Sequence, residues 1–87
     1  MPVEPPAEVT IAADLLAVVR LLVDEPKEAR VEVAAQGADQ ILEIRVQSAD
    51  RGKIIGRRGR TIEALRALAD IRGEREGQSY EVEVLDD

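Results

Sequence analysis

The apolar residues of this chain switch between two periods, and each switch marks a new element. Through 9–25 they fall at Ala12, Leu15, Leu16, Val19, Leu22 and Val23, the spacing of one helix face. Thr10 is placed to cap this helix and Pro26 to stop it. The period then drops to two in Arg30-Val31-Glu32-Val33-Ala34, and again in Leu42-Glu43-Ile44-Arg45-Val46. Gln36-Gly37-Ala38-Asp39 lies between these runs, so they read as a β-hairpin. After Val46 the helical period returns. Ser48 is a candidate cap, and Asp50 sits in a first turn, where the helix dipole favours an anion. This short helix reaches about Ile55 and is broken by Gly56-Arg57-Arg58-Gly59. A further helix follows over 60–72, with Ile62, Leu65, Leu68 and Ala69 as its stripe and Gly73 as its C-terminal cap. Tyr80-Glu81-Val82-Glu83-Val84 alternates once more.

The order is therefore α-β-β-α-α-β. Three amphipathic strands need one covering layer, and three amphipathic helices supply it, which makes a two-layer α+β sandwich with a three-stranded sheet. At 87 residues the chain holds one small domain, expected over 9–87, after a disordered, proline-containing lead-in at 1–8.

Composition removes whole classes of chemistry. The chain has no Cys and no His. That rules out disulfide scaffolds, thiolate nucleophiles, imidazole catalysis and zinc sites built from those two residues. Paired carboxylates form no recognisable catalytic motif, so no enzyme and no cofactor is expected. The first ten residues carry prolines and glutamates rather than a basic and then apolar leader. The run 15–23 is broken by Arg20 and is too short to span a bilayer. The expected setting is the cytoplasm, with no membrane partner.

Net charge is −6, which on average repels nucleic acid, but the average conceals a split. Residues 51–75 hold eight basic and three acidic residues, a net +5, whereas the rest hold four basic and fifteen acidic, a net −11. A basic island on an acidic chain is the main signal of composition.

The island is centred on Gly52-Lys53-Ile54-Ile55-Gly56-Arg57-Arg58-Gly59-Arg60-Thr61-Ile62. Two glycines three apart between helices permit a sharp turn with positive φ and no Cβ in the way. The residues between them point outward, and both are Arg. The free N–H groups of the next helix face the same place, with Lys53 and Arg60 flanking. Such a turn suits consecutive phosphates of an extended strand.

The string 54–62 resembles the (V/I)-I-G-x-x-G-x-x-I signature of KH domains, and the element order resembles their type II arrangement. With Asp14-Leu15-Leu16 and Asp24-Glu25-Pro26 at the ends of the first helix, 12–85 is similar to the KhpA family of small bacterial single-KH-domain proteins. The resemblance implies single-stranded RNA binding, with the GxxG loop clamping the RNA backbone. Carried over, Gly56, Arg57, Arg58 and Gly59 are the clamp, Gly52 and Ile55 form the groove floor, and Lys53 and Arg60 supply flanking charge. The opposite wall is expected around residues 44–46. The family also implies an RNA chaperone or post-transcriptional regulator, self-association as a homodimer, and a KhpB-type partner in control of cell elongation and division. The competing reading is a protein–protein interaction or dimerisation module that uses the GxxG face.

Other residues read more plainly. Ile54 and Ile62 are expected in the core, while Ile55 is divided between packing and groove. Gly52 either floors the groove or only allows close helix packing. Arg66, Arg72 and Arg75 read as a solvated helix face, and the acidic pairs Asp24-Glu25, Glu81/Glu83 and Asp86-Asp87 as solubilising surface. Tyr80, the sole aromatic residue, falls on the inward face of the last strand, so it packs rather than stacks on a base.

Overall fold

The most buried strand takes the middle of the sheet. The structure, a computed structural model, describes residues 10–85; the expected lead-in at 1–8 lies outside the described residues. Its sheet runs β1 (Arg30–Gln36), β2 (Asp39–Arg45), β3 (Ser79–Val84), in that order. β1 and β2 form the antiparallel hairpin read from the sequence, closed by a turn in which Gly37 adopts φ +63°. β3 pairs parallel to β2, which requires a crossover, and two helices provide it: α2 (Arg51–Ile55) and α3 (Arg60–Glu76). With α1 (Ile11–Leu22) they form the layer over one sheet face. The architecture is the expected two-layer α+β sandwich.

Register explains which side chains meet the helices. Val31 lies opposite Ile44, and Val33 opposite Leu42; across the parallel pair, Gln40, Leu42 and Ile44 face Tyr80, Val82 and Val84. Leu42 and Ile44 are fully buried beneath Val19, Ile54 and Leu65 in one core cluster. Tyr80 is buried there as expected, and its hydroxyl donates to Glu76 Oε1. Val33 stays half exposed, because β1 is an edge strand over which a cleft opens beside Ile11 and Ala12.

Two helix ends differ from the periodicity, each for a tertiary reason. Thr10 caps α1 as expected, its Oγ1 accepting from the Ala13 N–H at 3.1 Å. The helix stops at Leu22, short of 25, because the next backbone is held elsewhere: the Glu25 N–H donates to Asp50 Oδ2 at 3.0 Å. Pro26 then opens a 3-10 turn over Pro26–Glu28. At the other end of the fold, α3 continues past Gly73 to Glu76, and Gly77 (φ +67°) is the cap. Gly73 is instead buried in the helix, where an added Cβ would stand 2.5 Å from the Gln78 carbonyl oxygen. Its bare Cα lets the chain entering β3 pass against the helix. The buried stripe of α3 is Ile62, Leu65, Ala69 and Gly73; Leu68, expected on it, is 53% exposed because it projects to the side of that line.

Candidate functional site

A tight turn joins α2 to α3, and its glycines are required by geometry. The Gly56 N–H donates to the Gly52 carbonyl at 2.8 Å and ends α2. Gly56 itself has φ +79°, and a Cβ on it would fall 2.2 Å from Thr61 Oγ1 and 2.8 Å from the Thr61 nitrogen. Both backbone conformation and space therefore demand glycine here. The Gly59 N–H returns to the Gly56 carbonyl at 3.1 Å, closing a 3-10 turn over Arg57–Gly59. Gly59 is left-handed at φ +73°, and so is Arg58 at φ +58°. A left-handed arginine is uncommon and costs backbone energy. It turns the Arg58 side chain off the helix path, and Arg57 and Arg58 are both exposed.

The basic island divides into two populations. Lys53 Nζ donates to Asp24 Oδ2 at 2.8 Å and to Asp50 Oδ1 at 3.1 Å. Arg72 Nη1 donates to Asp14 Oδ2 at 2.6 Å, and its Nε to Glu76. Arg66 Nε donates to the Val82 carbonyl at 3.4 Å. Arg57, Arg58 and Arg60, by contrast, make no side-chain hydrogen bond or ion pair among the described residues. These three exposed charges flank the start of α3, whose first N–H groups receive no side-chain cap because the N-cap residue is Gly59. The reading of Arg66 and Arg72 as a plain solvated face gives way to these contacts.

Each predicted site residue has a definite place. Gly56, Arg57, Arg58 and Gly59 form one turn, and Arg60 starts α3 beside it. Ile54 and Ile62, the apolar flanks of the motif, are buried core, while Ile55 keeps 37% of its surface exposed. Gly52 is exposed, and a Cβ there would meet no protein atom within 4 Å, so helix packing is not what it serves. The ammonium of Lys53 is drawn away to two carboxylates rather than standing free. The wall expected around 44–46 is a correction. β2 is the central strand, and Ile44 and Val46 are sealed in the core at 0% and 3% exposure. The strand lying along α3 is β3, and a cleft of about 350 Å³ opens there between Arg66, Asp70, Tyr80 and Val82.

Asp50 has a larger part in the fold than its place in the sequence signals. The periodicity places it in a first helical turn facing the dipole, with Ser48 as cap. In fact Ser48–Asp50 form a 3-10 turn with no side-chain cap, and Asp50 is buried at 2% exposure. Burial opposes its charge, but N–H groups of Glu25 and Asp24 and the Lys53 ammonium outweigh that and hold the carboxyl below its ordinary range. Lys53 is held above its own range by Asp24 first and Asp50 second. Asp50 thus ties the end of α1 to the start of α2 and orients the helix that delivers Gly56. The three-residue spacing of Asp50 and Lys53 could have signalled the pair.

Among the described residues, no group of acidic side chains is arranged to hold a metal ion, and no helix is long and apolar enough to cross a membrane. Comparison with known proteins places this geometry. A family model described as the KhpA/KhpB KH domain matches residues 12–84. RNA-binding protein KhpA of Leifsonia xyli subsp. xyli is 39% identical over 77 residues, covering 88% of this chain and 99% of that protein. RNA-binding protein KhpA of Treponema pallidum is 38% identical, covering 90% of this chain and 99% of its own length. Among solved structures, Aquifex aeolicus Era bound to GDP and aluminium fluoride superposes with a TM-score of 0.56 at 18% identity. That match covers 97% of this chain and 32% of Era, and it speaks to the fold alone. With the α-β-β-α-α-β order, the GxxG turn and these relatives in agreement, the chain belongs to the KhpA/KhpB KH-domain family.

Proposed function

We propose that this protein binds single-stranded RNA, using the Gly56-Arg57-Arg58-Gly59 turn to clamp the phosphate backbone. The observation that carries this reading is the clustering of Arg57, Arg58 and Arg60, which have no partner among the described residues, at the open N-terminus of α3. Guanidinium groups and free N–H groups there suit consecutive phosphates. Bases then lie over Gly52 and Ile55 toward the cleft beside β3, with the edge strand rather than β2 as the far wall. The names of the relatives, RNA-binding proteins, support binding rather than catalysis. Family membership supports a cytoplasmic chaperone or post-transcriptional regulator, with a KhpB-type partner in cell elongation and division.

The test is charge reversal of the turn. Arg57→Asp with Arg58→Asp abolishes binding of a short pyrimidine-rich RNA while the thermal melt stays that of the parent. In the parent, two to four phosphate contacts make the logarithm of affinity fall by roughly 1.4 to 2.8 per tenfold rise in salt. Binding by the double variant within about twofold of the parent, or a slope near zero, would remove the clamp assignment.

A second reading, an interaction module, is favoured by a different surface. Leu21, Leu68 and Ile71 are 86%, 53% and 55% exposed, and a cleft of about 240 Å³ runs between α1 and α3 beside Val18 and Leu68. Self-association by this face leaves the GxxG turn open. Leu68→Asp then weakens self-association in sedimentation without changing RNA affinity.

A further inference from the structure

Lys53 stands three residues before Gly56 and is shared between two carboxylates of opposite character. Asp50 is fixed: its side chain is 3% exposed, and its other oxygen is engaged by the Glu25 N–H. Asp24 is not fixed, for its side chain is 76% exposed and Lys53 Nζ is the hydrogen-bond donor that holds it. An exposed ion pair contributes little, because water solvates each partner almost as well. The Lys53 side chain is itself 43% exposed, so another anion can reach the ammonium. A phosphodiester carries the same single negative charge as Asp24 and accepts the same hydrogen bond.

We infer that Asp24 is a built-in competitor for RNA: it occupies the Lys53 ammonium that a phosphate of the bound strand must take over, while Asp50 keeps that ammonium in place for the exchange. The inference rests on the proposed clamp at 56–59 and adds a residue that sets its threshold. Asp24 lowers affinity for a strand that delivers a phosphate to Lys53, because that phosphate must displace the carboxylate, and leaves a strand that reaches only the GxxG turn nearly unaffected.

The experiment titrates a short pyrimidine-rich RNA, by fluorescence anisotropy at several salt concentrations, against the whole chain and five variants. Asp24→Asn tightens binding about two- to fivefold, the range of an exposed ion pair. It also steepens the salt slope by up to about 0.7, one further contact. Glu28→Gln removes an equal charge from the same connection, away from Lys53, and changes affinity much less. In a Lys53→Gln background, where an amide still donates to Asp50, Asp24→Asn has no effect. The inference is overturned if Asp24→Asn binds no more tightly than the parent, if Glu28→Gln gives an equal gain, or if the gain survives in the Lys53→Gln background. Thermal melts identify a variant that fails to fold, and Asp24→Ser then takes the place of Asp24→Asn. The Arg57→Asp, Arg58→Asp variant separates the two claims. Its retention of binding would end the clamp reading, whereas a silent Asp24→Asn beside its loss of binding would end only the competition.

Discussion

The two ends of α3 carry arginines in opposite states. At the N-terminal end Arg57, Arg58 and Arg60 are exposed and make no ion pair among the described residues. At the C-terminal end Arg72 is clasped by Asp14 from α1 and by Glu76 one turn on, and Glu76 in turn accepts the Tyr80 hydroxyl. One end leaves its donors unsatisfied among the described residues, and the other commits Arg72 to joining α1, α3 and β3. The contrast teaches that a local excess of positive charge is not itself a binding surface. What matters is which cations the fold has already matched, as it has matched Lys53 and Arg72.

Both ends depend on the middle of α3 lying against the sheet, which gives the largest expected effect. Leu65→Asp buries a carboxylate at a position 2% exposed and unfolds the domain, since the cost of several kcal/mol rivals the stability of a chain this size. Leu68→Asp, one turn on and 53% exposed, leaves a cooperative melt near that of the parent. A folded Leu65→Asp protein would mean that the helix faces the sheet by another stripe.

Next comes the turn itself. Gly56→Ala sets a left-handed alanine against Thr61 and costs roughly 1–3 kcal/mol, with loss of RNA binding. Gly52→Ala adds a methyl group where no protein atom stands, so stability holds or rises by up to about 1 kcal/mol. RNA affinity nevertheless falls, because the methyl group occupies the groove floor. Equal affinity for Gly52→Ala and the parent would move the bases elsewhere.

Arg72→Ala is the mirror image of the loop reversal. It lowers the melting temperature by at most about 5 °C, as exposed ion pairs do, and leaves RNA affinity within about twofold. A large loss of affinity would erase the distinction between the two ends.

The smallest effect is in the acid limb. The Tyr80 hydroxyl and then Arg72 hold the Glu76 carboxyl below its ordinary 4.5. A depressed carboxylate contributes stability that is complete above pH 4.5 and is lost as pH falls through the folded value. Asp50 behaves alike below its ordinary 3.8. The parent's melting temperature therefore declines below pH 4.5, and Arg72→Ala declines less steeply because Glu76 has lost a partner. Parallel declines would show that Arg72 does not act on Glu76.

Periodicity alone determined the element order, the hairpin, the inward Tyr80 and the position of the GxxG turn, because each is decided within a few residues of backbone geometry. The motif glycines were legible for the same reason: positive φ and close approach to Thr61 are local demands. Which charges stay unsatisfied was not legible. Lys53 meets Asp24 from 29 positions away, and Arg72 meets Asp14 from 58, so no window of sequence contains either pair. The early end of α1, the run of α3 through Gly73 and the burial of Ile44 and Val46 behind the edge strand β3 have the same origin. Each follows from where the parallel crossover places β3 and from a carboxylate, Asp50, buried between segments distant in the chain. Local geometry is written into neighbouring residues, but charge matching and burial depend on which segments the fold brings together, and only the packed structure decides that.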